Sequence, residues 1–181
     1  MAKGDRDRMP DFAFRMMSAT FTLKDWLFPG LDKRIEGFGI REGMTVVDYG
    51  CGPGRYTTRF SKLVGERGKV YAVDVQELAL ETVKRKMKAQ GLTNVIPVLA
   101  RGYETDIPDQ VADMAFALDM FFGVSDPVAL LAEIHRIVRP DGVLILDDGH
   151  QPRESTLEKV NRSGKWEIKE AGRDHIRLIP K

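Results

Sequence analysis

The chain has a single cysteine, Cys51, and only three histidines. One cysteine allows no intramolecular disulfide and no multi-cysteine zinc site. It also fits a reducing, cytoplasmic setting. No apolar run is long enough to span a membrane. The opening residues, MAKGDRDRMPDF, mix acids with bases and lack the apolar core of a secretory leader. Neither sign of charge is in excess: 28 Lys and Arg face 27 Asp and Glu, a formal net of +1. A protein that grips nucleic acid through charge carries a basic surplus, so RNA and DNA are disfavoured as partners. No internal repeat or low-complexity segment is visible.

What the chain does have is enough apolar material, 43% of 181 residues, for one domain with a core. Residues 10–29 are rich in large apolar side chains. Phe12, Met16 and Ala19 fall on one helical face, as do Leu23, Trp26 and Leu27. Pro10 suits a helix start, Pro29-Gly30 a stop, and a short helix is expected over 31–38. From Met44 the rhythm becomes strand, helix, strand. MTVVDY, KVYAVDV, VIPVLA, ADMAFALDM and GVLILDD read as strands, with helices over YTTRFSKLV, ELALETVKRKMKAQ and DPVALLAEIHRIV. Asp126-Pro127 supplies a cap and a first-turn proline, and Gly91 a C-terminal stop. Strict alternation predicts a doubly wound α/β sheet with parallel central strands. Pro97 cannot donate to a ladder, so the third strand belongs at an edge, as in an order beginning 3-2-1-4. After a helix over 153–161, WEIKEA and HIRLIP flank a short turn and should pair as a hairpin, giving seven strands.

The stretch VVDYGCGPGRY places Gly50, Gly52 and Gly54 just after the first strand. In a doubly wound sheet this is where a ligand lies against bare backbone. Asp74, ending the second strand about 20 residues on, suits the two hydroxyls of a ribose. NAD calls for G-x-G-x-x-G and a pyrophosphate on the next helix. Here the pattern is G-x-G-x-G, with Asp48 two residues before it. A carboxylate there suits an ammonium or a sulfonium better than a pyrophosphate.

Asp48–Gly54 resembles the D/E-x-G-x-G-x-G motif of class I S-adenosylmethionine-dependent methyltransferases. VYAVDV, Ile107-Pro108-Asp109, Ala117-Leu118-Asp119, Ser125-Asp126-Pro127 and Arg139-Pro140-Asp141-Gly142 are similar to later landmarks of that family. The likeness is nearest to small single-domain prokaryotic members of the type 11 group. It implies a Rossmann-like seven-stranded sheet, order 3-2-1-4-5-7-6 with the last strand antiparallel, helices on both faces and an N-terminal helical segment. One domain over 1–181 is expected, with 1–38 as lid or packing segment and 39–181 as the cofactor-binding core. The cofactor implied is S-adenosyl-L-methionine, leaving S-adenosyl-L-homocysteine. Asp48, Gly50, Cys51, Gly52 and Gly54 would face its methionine part. Asp74 would hold the ribose, with Val75 near the adenine, and Asp119 would stand at the methionyl end.

Two departures from the family bear on the site. Many relatives carry an adenine-binding acid after the third strand, where this chain has Gly102. Adenine recognition then falls to backbone amides, to Tyr103 or to Glu104. Many relatives also carry a histidine after the fourth-strand acid, where this chain has Phe122. Candidate bases are therefore His150, Asp119 and Tyr103. Cys51 reads as a small loop residue rather than a nucleophile, and Asp147-Asp148 with His150 as a solvated strand end rather than a metal site. The 10–29 segment reads either as a lid supplying Phe12, Phe14, Met16, Met17, Phe21 and Trp26, or as packing. A membrane-surface contact would want a more basic polar face. The expected acceptor is a small, partly apolar molecule. The alternatives are a binding protein that holds the cofactor without transfer, an RNA methyltransferase and, more remotely, an NAD enzyme. Oligomeric state and acceptor identity are open at this level.

Overall fold

The computed structural model describes residues 7–27 and 30–181; within the first helix, the side chains of residues 22 and 24–27 lie outside that description, as does the expectation for Trp26. Seven strands form one sheet in the order β3-β2-β1-β4-β5-β7-β6. β1 (Thr45–Tyr49), β2 (Lys69–Asp74), β3 (Val95–Leu99), β4 (Ala112–Ala117) and β5 (Val138–Leu146) are parallel. β7 (Ile176–Pro180) runs antiparallel to both β5 and β6 (Trp166–Ala171). The order is the one the sequence implied. Pro97 sits in β3 opposite Ala72, on the edge where its missing N–H leaves no partner unserved.

Successive residues along the strands point to opposite faces, and both faces are covered. Val46, Met114, Phe116 and Ile145 join one core, with Phe60 and Val83 from α3 (Thr57–Val64) and α4 (Glu77–Gln90). Val47, Ala115, Leu144 and Leu146 join the other, with Leu130 and Ile134 from α5 (Pro127–Ile137) and Val160 from α6 (Arg153–Ser163). The changeover between faces occurs at β1 and β4, so the carboxyl ends of these strands flank an open crevice. α5 begins as expected, with the Asp126 carboxylate accepting from Ala129 N at 3.1 Å and Pro127 in the first turn. α4 ends at Gly91 with φ +65°, its N–H bonded to Met87 O.

Two strand ends differ from the sequence reading. β4 stops at Ala117, and Asp119 follows in the left-handed region at φ +57°. β5 starts at Val138, straight out of α5. Arg139-Pro140-Asp141-Gly142 is a bulge within it, which is why Ala112 pairs with Val138 but Met114 with Val143.

The N-terminal helices are α1 (Asp11–Leu27) and α2 (Leu31–Glu36). Phe12 and Met16 do share a face of α1, but it is the outer one: they are 75% and 56% exposed. Ala19 is exposed with them. The stripe turned inward is Phe14, Met17 and Phe21. Both stripes are apolar, so periodicity could not choose; a polar tie of Asp11 to Gln76 Nε2 at 3.2 Å helps set the rotation. α2 is held by buried Ile35 and by Phe38 just beyond it. Phe38 and Phe60 pack on Phe116 of β4, with ring centroids 5.3 and 4.4 Å away. Among the described residues no helix is long and apolar enough to cross a membrane.

Phe116 thus joins sheet, α3 and the N-terminal segment. Phe116→Ala should destabilise the fold by about 3–5 kcal/mol, read as a lower denaturant midpoint at unchanged slope. A loss under 1 kcal/mol would show that this aromatic cluster does not anchor α2.

Candidate active site

The glycine loop turns back on its own sheet. Gly50 N and Cys51 N both donate to Val73 O, at 2.8 and 2.9 Å. Gly50, Gly52 and Gly54 have φ of +75°, +50° and +76°, values that disfavour any residue with a Cβ. A Cβ on Gly50 would stand 2.8 Å from Met120 Cγ, and one on Gly52 would stand 4.0 Å from Met17 Cε. Two unbranched, flexible methionine chains therefore rest on bare loop backbone. This is a cradle that a slender ligand chain fits once they swing aside.

Beneath the loop lies Asp48, 1% exposed. Its carboxylate accepts from the Thr57 hydroxyl at 2.5 Å and from the Thr57 backbone N–H. Thr57 opens α3. The positive end of that helix is thus occupied by an internal carboxylate. A pyrophosphate, which a dinucleotide site would seat there, would meet a like charge. Asp48 itself does not line the cavity; it acts on a ligand through the field. Burial pushes its pKa up to about 7, against the Thr57 bonds that favour the anion. A cation above the loop would restore the charged form.

Asp74 does line the cavity. One carboxylate oxygen accepts from Gly52 N at 2.8 Å and the other from Gln76 N at 2.9 Å. With the Val75 N–H bonded to it as well, it pins the glycine loop to the tip of β2 and keeps acceptor capacity for one further hydroxyl. Val75 and Gln76 continue the same wall. Cys51 is buried, and burial with Asp74 and Asp48 nearby drives its thiol pKa well up, the reverse of an activated nucleophile.

At the β4 end the structure assembles a cluster that sequence reasoning missed. Asp119 accepts from the Tyr56 hydroxyl at 2.7 Å and from Arg55 Nη1 at 3.0 Å. Its backbone N–H donates to Asp147 Oδ1 at 2.9 Å. Arg34, from α2, donates to Asp147 at 2.7 Å and to the Tyr56 hydroxyl at 3.0 Å. Burial pushes the Asp147 carboxyl up, and Arg34 opposes that shift. Burial and Asp119 push the Tyr56 phenol up, so it remains a donor. Two arginines balance two carboxylates. Arg55 also lies 5.0 Å from the Phe21 ring of α1, a cation–π contact beneath the N-terminal helix.

One cavity of about 290 Å³ joins these parts, roofed by Phe14, Met17 and Phe21 and floored by the glycine loop, Asp74 and Asp119. Tyr103 lines it, Gly102 does not: Gly102 is a buried turn residue with φ +69°. Glu104 is exposed, in a bridge with Arg101. His150 is exposed and outside the cavity, its ring edge-on to Phe122 with centroids 5.0 Å apart. Phe122 is the residue that lines. Asp148 is taken by Arg153 at 2.7 Å. Arg34 and Thr57 carry no motif signal; Arg55 and Tyr56 directly follow the glycine loop, which was the available hint.

The Asp48 carboxyl stands at about 7 against an ordinary 3.8. Between those limits the folded chain holds the proton more tightly than the unfolded chain. This group therefore lowers stability as pH rises from about 4 to about 7 and contributes a level penalty above, with a slope near 1.4 kcal/mol per pH unit for one proton. Asp48→Asn should flatten the pH dependence of the denaturant midpoint across that window. An identical slope in the variant would show that Asp48 is ordinary.

A family described as methyltransferase domain matches residues 40–174. A ubiquinone/menaquinone biosynthesis C-methyltransferase of Shewanella piezotolerans is 32% identical over 127 residues, 70% of this chain and 51% of that protein. The chain thus spans about half the length of the curated relatives it matches. A SAM-dependent methyltransferase from Aquifex aeolicus superposes with TM-score 0.77 at 27% identity, covering 91% of this chain and 98% of that one. A TehB-like SAM-dependent methyltransferase from Corynebacterium glutamicum shares the fold at TM-score 0.67 and 18% identity, covering 92% and 99%. With this fold in place and the family match running over residues 40–174, the chain belongs to the methyltransferase-domain family.

Proposed function

We propose that the acceptor is a small, partly apolar molecule bound between the inner face of α1 and the carboxyl end of β4. The observation that carries this is the wall of the cavity: Phe14, Met17 and Phe21 face Arg55, Tyr56 and Asp119. In this reading the chain is one cytoplasmic domain, with residues 1–38 as the lid and 39–181 as the cofactor-binding core. The curated relatives are named for C-methylation in ubiquinone and menaquinone biosynthesis. A compact molecule with an electron-rich ring carbon is therefore the first acceptor class to test. An aromatic roof matches such a ring by stacking.

S-adenosylmethionine supplies an electrophilic methyl carbon on its sulfonium. The backbone at Gly50, Cys51, Gly52 and Gly54 would hold the methionyl part, Asp74 the ribose and Val75 the adenine face. The rest of the task is to orient the acceptor in line and keep water out, which α1 is placed to do. Where the acceptor arrives protonated, Asp119 is the group to take the proton. It lines the cavity beside Arg55 and Tyr56. His150 drops out of this role because it faces solvent. Tyr103 drops out because burial and its bond to Asp7 push its pKa up to about 12.

Four outcomes test the reading. Asp74→Asn should weaken S-adenosylhomocysteine binding about tenfold by calorimetry, the scale of one charged hydrogen bond; unchanged affinity removes the ribose assignment. In a ring-acceptor screen with S-adenosylhomocysteine as the detected product, Phe21→Ala should raise KM several-fold with little change in kcat. Asp119→Asn should lower kcat in the same screen, and an unchanged kcat removes Asp119 as the proton acceptor. If deletion of residues 1–29 leaves fold and turnover unchanged, the lid is wrong.

A further inference from the structure

The two ends of the cavity differ in their polar groups. Toward β4 they are Arg55, Tyr56 and Asp119; at the opposite end they are Asp7, Gln76 and Tyr103. Asp74 stands between, at the tip of β2, which lies between β3 and β1 in the sheet. A nucleoside with its ribose on Asp74 and its amino-acid chain over the glycine loop sends its base away from β4. The walls there are apolar, with Met9, Val75, Val124 and Leu130. Among the described residues lining that end beyond Asp74, one carboxylate is present, that of Asp7.

Asp7 is held by the core rather than by its own segment. Its Oδ2 accepts from the Tyr103 hydroxyl at 2.6 Å. The Ser125 N–H is shared between its Oδ1 and Oδ2, at 3.2 and 3.3 Å, and Oδ1 also accepts from the Ser125 hydroxyl. The Tyr103 hydroxyl in turn accepts from Asp126 N at 2.9 Å, so its own proton is committed to Asp7. The Tyr49 hydroxyl, donating to Tyr103 O, fixes the loop that carries this tyrosine. Three donor groups thus orient one carboxylate against the cavity. A carboxylate has about four acceptor positions, so capacity remains for one further N–H. Gly102, at the turn where β3 leads toward Tyr103, offers no side chain and does not line the cavity.

We propose that Asp7 recognises the base of the cofactor by accepting a hydrogen bond from the exocyclic amino group of adenine. The N-terminal segment then does two things: α1 roofs the acceptor, and Asp7 reads the nucleobase. Adenine presents an N–H donor at its 6-position. Hypoxanthine presents a carbonyl oxygen there, which a carboxylate repels. The inference rests on the placement of the ribose at Asp74, and the two fail differently. If Asp74→Asn leaves affinity unchanged, the placement is wrong. If Asp74 matters but base preference is insensitive to Asp7, only the present assignment falls.

The test is calorimetry on the full chain with S-adenosylhomocysteine and its 6-oxo counterpart, S-inosylhomocysteine. The native protein should prefer the adenine compound by about tenfold or more, the scale of a lost charged hydrogen bond. In Asp7→Asn the amide can donate to a carbonyl as well as accept from an amine, so the ratio should fall toward one. Ser125→Ala loosens the strap but keeps the carboxylate, so both affinities should fall together with the ratio kept. A native protein with no preference would overturn the assignment. So would Asp7→Asn retaining the native ratio, including a parallel loss of both ligands, which would make Asp7 a strap only. Thermal melts of the variants confirm that each is folded.

Discussion

The site depends on one carboxylate buried where a phosphate would otherwise sit. Asp48 closes the head of α3 through Thr57, beneath the glycine loop. The helix's positive end is already satisfied, which removes the usual reason for an anion to bind there. In the absence of a ligand the carboxylate's own charge is penalised by burial. A cation over the glycine loop relieves that penalty. A positively charged ligand would therefore be favoured by a residue that need not touch it.

A second constraint ties the N-terminal segment to the strand ends. Arg34 reaches from α2 to Asp147 at the end of β5 and to Tyr56 after the glycine loop, and also donates to Asp174 O in the terminal hairpin at 3.3 Å. Asp147 in turn holds the backbone of Asp119, a non-glycine residue kept at positive φ. Partly buried ion pairs of this kind add little net stability, because desolvation offsets attraction. What they supply is geometry. The turn after β4 is locked, and the carboxylate of Asp119 is turned toward the space beneath α1. The same segment is tied at its other end through Asp7 and Asp11. Its apolar inner stripe is suspended between two polar attachments.

Much of this was legible before any coordinates. Pro97 put the third strand at an edge, because a missing donor is tolerated only there. Two strand-like runs a few residues apart could only form a hairpin. Gly50, Gly52 and Gly54 marked the tight turn after β1, where their positive φ values require the absence of a Cβ. What was not legible involved partners far apart in the chain. Arg34 meets Asp147 across 113 residues and Asp7 meets Ser125 across 118, and nothing local marks either pair. The sequence left open which stripe of α1 turns inward, because both are apolar: the lid reading named Phe12 and Met16 along with Phe14, Met17 and Phe21, and only the last three line the cavity. His150 looked available because it follows a strand on the ligand side, yet its backbone carries it into solvent past Phe122.

The sequence by itself determined the order of the elements and the tight glycine turn after β1, while its resemblance to a known family implied the methyl donor. The first two follow from local rules: alternation, missing donors and missing side chains. The tertiary structure alone decided which face of α1 looks inward and which carboxylates share one cavity. It also placed Asp48 beneath the loop and out of the cavity. Those outcomes depend on distances between segments that chain connectivity does not restrict, and they exist only once the two cores are packed and the arginine of α2 has reached the far strands.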